Sequence, residues 1–378
     1  MKPLCIQVNW QGELGGGEVY TRFFTRALQS LGWETHLVVE RNARFWDQFG
    51  LENVRYIPID HGREIPDLLP QTPAVVVTHN ILPPELAQSV AARHRLGGLV
   101  HMPLVGRDPR GLADYHRLFP VSDYVRSTVA ARGHTNIHGE PLLGVADLAP
   151  RAAGSGPILR QSEYAWDRRK YRDRLLSLLE PLRKFGSAME FARKPGLTLG
   201  IVSRLTPIKQ FPLLFAHLAP LLARHPQVNL EIFGSGGYAS VRDLDRELAV
   251  LSPGQVRFWG QQRDVTAIYR QIDYLLSGLP EKEALGLNII EAQACGTPVI
   301  AVDAPPFTET ILDGATGFLY PDPRTDAGAG FARLLDGLVA GRPRPQPELA
   351  RAHLQRFSFD AFVERLRPVV ADAYKSFE

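Results

Sequence analysis

The 378-residue sequence holds little of several things whose abundance would define its class. Cysteine is scarce: Cys5 and Cys295 are the only two, both in segments that read as core. Buried thiols are expected there rather than a disulfide. No long uninterrupted apolar run occurs, and at the start Lys2 is followed by a strand broken by Gln7 and Asn9, unlike a signal peptide. A cytoplasmic location is expected, compatible with peripheral attachment at the inner membrane face. Charge of one sign is lacking too: 43 Lys and Arg against 40 Asp and Glu leave a formal net charge of +3, which gives no case for a nucleic-acid partner. His79 and His101 have no metal-ligand spacing with another His, Asp or Glu, so a zinc site is unsupported. Repeats of solenoid period are missing. Glycine is plentiful, yet Gly15-Gly16-Gly17 does not spell G-x-G-x-x-G, and no acidic residue is well placed for a dinucleotide ribose. Both gaps weigh against a nicotinamide cofactor.

What is present is alternation. The length suggests two domains, and both halves share a strand–glycine–helix plan. PLCIQVNW reads as a strand, followed by a glycine turn and a helix through Phe23, Phe24, Ala27, Leu28 and Leu31. Gly16 and Gly17 thus open a helix N-terminus, a site of anion binding or close approach, or else a tight turn. LGWETHLVVE, AVVVTHN and GGLVHMPLVG supply further strands, and a proline-punctuated stretch around Pro58–Pro73 reads as irregular. Ser122 is expected to cap a helix. The second half repeats the plan with LTLGIVSR, VNLEIFGSGG, VRFWG and VIAVD, where Gly234 again places open backbone at a strand's end. The pattern predicts an α/β fold with parallel, doubly wound sheets.

The chemistry concentrates in EKEALGLNIIEAQACGTPVIAVD, residues 281–303. LNIIEAQA has helix-forming composition, and Cys295-Gly296 before Pro298 is a helix stop. Gly286 and Leu287 then stand at the helix N-terminus, where free amides favour an anion. Glu283 falls in the loop before it. Glu291 lies five residues beyond Gly286, roughly 7.5 Å along the axis, a spacing that suits a diphosphate at the helix end with one carboxylate near each substituent.

This stretch resembles the Glu-x7-Glu region of the GT-B glycosyltransferases of family 4, through Ser277, Glu283, Gly286, Leu287, Glu291, Ala292, Ala294, Gly296, Pro298 and Val299. Ala284-Leu285 replaces the usual Gly-Phe, and the Ser-to-Glu gap is longer. The segment GIVSRLTPIKQ resembles that family's G-R-L-x-x-x-K-G, with Ser203 and Gln210 replacing the glycines. The resemblance implies two Rossmann-like domains with parallel sheets facing a central cleft. It also implies metal-independent, retaining transfer of a hexose-type sugar from a UDP- or GDP-sugar to an acceptor hydroxyl by front-face attack. By the same resemblance Glu283 contacts the donor sugar hydroxyls and Glu291 the ribose, while His101 lies beside the donor sugar. The backbone after Gly260, with Gln261 to Arg263, lies near the nucleobase, and the Gly16–Gly17 loop near the donor phosphate and acceptor. Arg204 and Lys209 supply the charge balance a diphosphate needs without a metal, as a guanidinium fork and a point charge. The nucleotide sugar is a co-substrate, and no other cofactor is implied.

The resemblance implies four segments: an N-terminal Rossmann-like, acceptor-side domain over 1–150, a basic segment over 151–195, a C-terminal donor domain over 196–355, and a helix over 356–378 like the one that crosses back to the first domain in GT-B proteins. The basic segment carries Arg168, Arg169, Lys170, Arg172, Arg174, Arg183, Lys184, Arg193 and Lys194 among Tyr164, Trp166, Tyr171 and Phe185. It reads as a linker with one amphipathic helix over the domain junction, with membrane contact through 160–194 or binding of a phosphorylated acceptor as the other readings. GRPRPQPE reads as an exposed connector. Two rival functions keep the fold: an epimerase or phosphorylase-like enzyme, and a non-catalytic sugar- or nucleotide-binding protein. The sequence identifies neither the base, the sugar nor the acceptor.

Overall fold

A computed structural model describes residues 2–146, 157–166, 171, 175 and 189–375. It divides into two compact units, 1–147 with 355–378, and 148–354. Each unit contains one six-stranded sheet in which every pairing is parallel.

In the first unit the strands are β1 (Leu4–Asn9), β2 (Glu34–Glu40), β3 (Val54–Ile59), β4 (Val75–Thr78), β5 (Arg95–Val100) and β6 (Arg117–Pro120), in the order β3-β2-β1-β4-β5-β6. The run Val75–Thr78 is buried throughout, as a strand covered on both faces requires. β3 runs into the start of the stretch expected to be irregular, with Pro58 and Ile59 as its last two residues. Pro58 is tolerated there because β3 is an edge strand, where a missing amide costs no ladder bond on the open side. The Gly16–Ser30 helix buries Tyr20, Phe23, Phe24, Ala27 and Leu28, one stripe at helical spacing. Against it packs the C-terminal helix Phe359–Lys375, with the Phe362 ring 5.6 Å from Tyr20 and 6.3 Å from Phe24. That helix runs through Pro368 without ending.

The second unit has β7 (Leu197–Val202), β8 (Val228–Phe233), β9 (Val256–Phe258), β10 (Tyr274–Leu276), β11 (Val299–Val302) and β12 (Gly317–Tyr320), ordered β12-β11-β10-β7-β8-β9. Numbered within its own unit, this is the same order as the first. Strand period decides its two cores. Leu199, Ile201, Leu230, Ile232, Leu276, Ile300 and Val302 enter one cluster with Phe211, Leu214, Phe215 and Leu218 of the Phe211–Leu222 helix. The alternate residues Val202, Phe233, Leu275, Val299 and Ala301 enter the other with Ile289 and Ala292 of the Leu287–Ala294 helix.

The basic segment is not a bare connector. Ile158 and Phe191 are 6% exposed in the second of these cores, and Gln161 donates its amide to the Trp259 carbonyl at 2.9 Å. Trp259 and the Arg257 guanidinium both donate to the buried Glu231 carboxylate, which ties this edge to β8. Of the expected basic helix, Arg168, Arg169, Lys170, Arg172, Arg174, Arg183, Lys184 and Phe185 lie outside the described residues. In the proline-rich stretch near the end of the unit, Pro347 is buried rather than exposed. Among the described residues no helix is long and apolar enough to cross a membrane.

Candidate active site

In a doubly wound sheet, ligands bind beyond the carboxyl ends of the strands where the order reverses. In the second unit that point lies between β7 and β10. The loop after β7 carries Arg204 and Lys209, and the loop after β10 carries Glu283 and Gly286. Residues separated by 74 positions therefore meet: Lys209 Nζ donates to Glu283 Oε2, with side chains 22% and 15% exposed.

Close backbone packing holds these loops. A Cβ on Gly278 would stand 2.4 Å from the Lys209 carbonyl oxygen, and one on Gly234 1.8 Å from that of Ser203. Gly234 is thus required where the loop after β8 crosses the Ser203–Arg204 backbone. Gln210, where the resembled pattern has glycine, holds a left-handed conformation (φ 54°) as cap of the Phe211–Leu222 helix. The next helix starts at Leu287 from Gly286, whose φ is 83°. Asn288 in its first turn donates to the Val202 carbonyl at 3.2 Å and so fixes this N-terminus against the end of β7. Cys295 ends the helix, followed by Gly296 in the left-handed region.

Glu291 sits inside this helix and accepts from the Tyr269 hydroxyl at 3.0 Å. Burial pushes its carboxyl up to about 7; the Tyr269 hydrogen bond and the Lys209 charge pull the other way. The half-buried group is thus poised between acid and carboxylate near neutrality. Tyr269 and Asn288 were missed in the sequence because neither stands in the motif. Tyr269 reaches Glu291 only because the short helix Val265–Tyr269 leads to the strand beside it.

Beyond β8 and β9 lies a cleft of about 770 Å³ lined by Gln161, Ser162, Tyr164, Ser235, Gln261 and Arg263, among others. Arg263 is exposed along it. Three of these six come from the segment before β7, a wall with no sequence signal. Among the described residues no three His, Cys, Asp or Glu side chains are grouped to hold a metal ion.

The remaining expected residues belong to the first unit, at the corresponding point between β1 and β4. Gly16 and Gly17 begin the helix after β1, with ordinary backbone, and a Cβ at Gly17 would meet nothing within 4 Å. His79 follows β4 and His101 follows β5. Their rings stack at 15° with centroids 5.5 Å apart, and His101 Nε2 lies 3.3 Å from His79 Nδ1. Burial lowers both; His101 falls to about 4, and His79 is lowered further by its neighbour. Both rings are neutral at physiological pH.

Two parallel sheets of matched order, with polar residues gathered at their reversal points, define the class as a GT-B glycosyltransferase fold. Solved structures of that fold match almost the whole chain: Anabaena HepE in complex with UDP and glucose (TM-score 0.68, 16% identity, 97% of this chain and 99% of that one) and sucrose-phosphate synthase from Thermosynechococcus elongatus (0.68, 16%, 99% and 100%). Residues 196–338 match the family of glycosyl transferases group 1. Curated relatives include a phosphatidyl-myo-inositol mannosyltransferase of Mycolicibacterium smegmatis, 32% identical over 156 residues, and a D-inositol 3-phosphate glycosyltransferase of Rhodococcus erythropolis, 33% identical over 180. These matches take in 41% and 44% of this chain and 39% of each relative's length.

Proposed function

We propose that this protein is a retaining, metal-independent glycosyltransferase that moves a hexose-type sugar from a UDP- or GDP-sugar to an acceptor hydroxyl. The observation that carries this reading is the Lys209–Glu283 ion pair beside Glu291, where the order of the second sheet reverses. Departure of the nucleoside diphosphate is the difficult step, and fixed positive charge and amides aimed at the developing anion lower its barrier. Lys209, Arg204 and the amides at Gly286-Leu287 take that role. Glu291 accepts from the ribose hydroxyls, and Glu283, released from Lys209 as the diphosphate binds, orients the sugar. His101 and the Gly16–Gly17 loop enter through the family resemblance, as contacts to the sugar and to the phosphate or acceptor. Gly234, Arg263 and the adjoining cleft are assigned to the nucleotide. The inositol-directed names of the curated relatives favour a polyol hydroxyl, free or lipid-linked, as acceptor.

A thermal-shift screen of UDP, GDP, ADP and dTDP selects the base, because binding to the native state raises apparent stability. The roles of the two glutamates then separate. Glu291→Gln weakens nucleotide binding and raises donor KM, a uniform binding loss. Glu283→Gln leaves nucleotide affinity nearly unchanged and lowers transfer about 10²-fold, near 2.7 kcal/mol. Calorimetry beside steady-state transfer checks both. If neither variant changes binding or rate, the assignment of this site fails.

A further inference from the structure

We propose that Gln7 and His79 are positioning residues that hold His101 with its proton on Nε2, leaving Nδ1 as a bare acceptor for a substrate hydroxyl. The substrate half rests on the function proposed above; the proton assignment follows from hydrogen bonding alone. Thr25 gives its one hydroxyl proton to the Thr21 carbonyl at 2.8 Å, so towards Gln7 it can only accept. Gln7 Nε2 donates to it at 2.8 Å, which turns Gln7 Oε1 towards His79 Nε2, 3.1 Å away. An amide oxygen only accepts, so His79 carries its proton on Nε2. Its Nδ1 is then a lone pair, and His101 Nε2 at 3.3 Å must be the donor.

Gln7 and Thr25 are fully buried and His79 is 4% exposed, so water does not stand in for any member. The chain is closed at its inner end by the Thr21 carbonyl and has one open end, His101 Nδ1, for which the described residues offer no hydrogen-bond partner. Tyr20 packs edge-on against His101 at 4.7 Å, its own hydroxyl committed to the Leu142 carbonyl at 2.7 Å. The ring is thus held both in plane and in tautomer. A buried polar chain of this kind specifies one arrangement only when every member is satisfied.

Nitrogen NMR of the full chain with labelled histidine, assigned by loss of signals in His101→Gln, reads the tautomer directly. The expected result is a proton on Nε2 of both rings and a coupling across the His101 Nε2–H···Nδ1 His79 bond; a proton on His101 Nδ1 overturns the relay. Two variants test positioning against packing with the hexose donor of the base chosen by the thermal-shift screen. His79→Phe matches the ring's size and removes the acceptor, whereas His79→Asn sacrifices packing and restores an acceptor in place of Nδ1. Positioning predicts a kcat about tenfold lower in His79→Phe, largely recovered in His79→Asn, with donor KM and nucleotide affinity within about twofold. Equal losses, or a more active His79→Phe, overturn it. Where the variants fail to fold, the wild-type spectrum still decides the relay. If the spectrum shows the expected tautomer while His101→Gln transfers sugar at the wild-type rate, the substrate contact fails and the relay stands.

Discussion

The two units use one strand order and fill its reversal point with opposite chemistry. Beyond β1 and β4 amides and uncharged imidazoles predominate: Gln7 and Asn9 are inaccessible, His79 and the partly buried His101 are held uncharged, and the one carboxylate beside them, Glu18, is buried and accepts from Asn9. Beyond β7 and β10 the groups are charged and remain partly exposed, Lys209 at 22% and Glu283 at 15%. Neutral amides and imidazoles satisfy one another in the interior at little net cost, whereas burying an unpaired charge costs far more. The comparison teaches that topology supplies a crevice, and the few residues directly after the strands decide whether it orients a neutral group or binds an anion.

Four tests probe that contrast, beginning with the largest effect. Gly234→Ala drives a Cβ into the Ser203 backbone, and urea unfolding is expected to show a loss of about 4 kcal/mol. Lys209→Ala leaves the fold intact but weakens nucleoside diphosphate binding by about 3 kcal/mol in calorimetry; unchanged affinity removes the charge from the site.

The third test sets two pH dependences of opposite sign against each other. Glu291 is raised from 4.5 to about 7 by burial, so between those values the native state keeps a proton that the unfolded chain has released. Stability from this group therefore falls as pH rises through that window, by about 2 kcal/mol after allowing for its partial exposure. His101 is lowered from 6.5 to about 4, so its contribution is complete above 6.5 and is lost as pH falls towards 4. Denaturant melts from pH 4 to 8 should lose the first slope in Glu291→Gln and show a shallower second slope in His101→Gln, the part that remains belonging to His79, which burial lowers in the same direction. Identical profiles in both variants and the wild type would mean that the two reversal points do not differ electrostatically. The smallest effect is expected at Gly17, where a methyl meets open space. Gly17→Ala should change stability by less than about 1 kcal/mol. If transfer nevertheless falls, a ligand approaches that backbone, and this loop differs in kind from the one at Gly234.

Much of this was legible along the chain because it depends on neighbours in sequence. Unbroken β-branched runs such as VVVT and VIAV mark covered strands, Ser122 accepts from the Val125 amide as a cap should, and Cys295-Gly296 ends its helix. β3 was hidden because a proline argues against a strand until its place at an edge is known. Residues 157–166 read as linker because their burial comes from β8 and β9, distant in sequence. The motif likewise marked Glu283, Lys209 and Glu291 without saying which of them touch.

By itself, then, the sequence determined the alternation of strands and helices, the glycines that open each loop, and the charged residues that follow the strands. These are local matters of periodicity, backbone freedom and side-chain type. Only the tertiary structure decided the shared strand order, the Lys209–Glu283 pair, the raised carboxyl of Glu291 and the chain from Thr25 through Gln7 and His79 to His101. Each of these depends on distance and burial between residues far apart along the chain, and a hydrogen bond or a shifted proton affinity exists only once the sheets have brought them together.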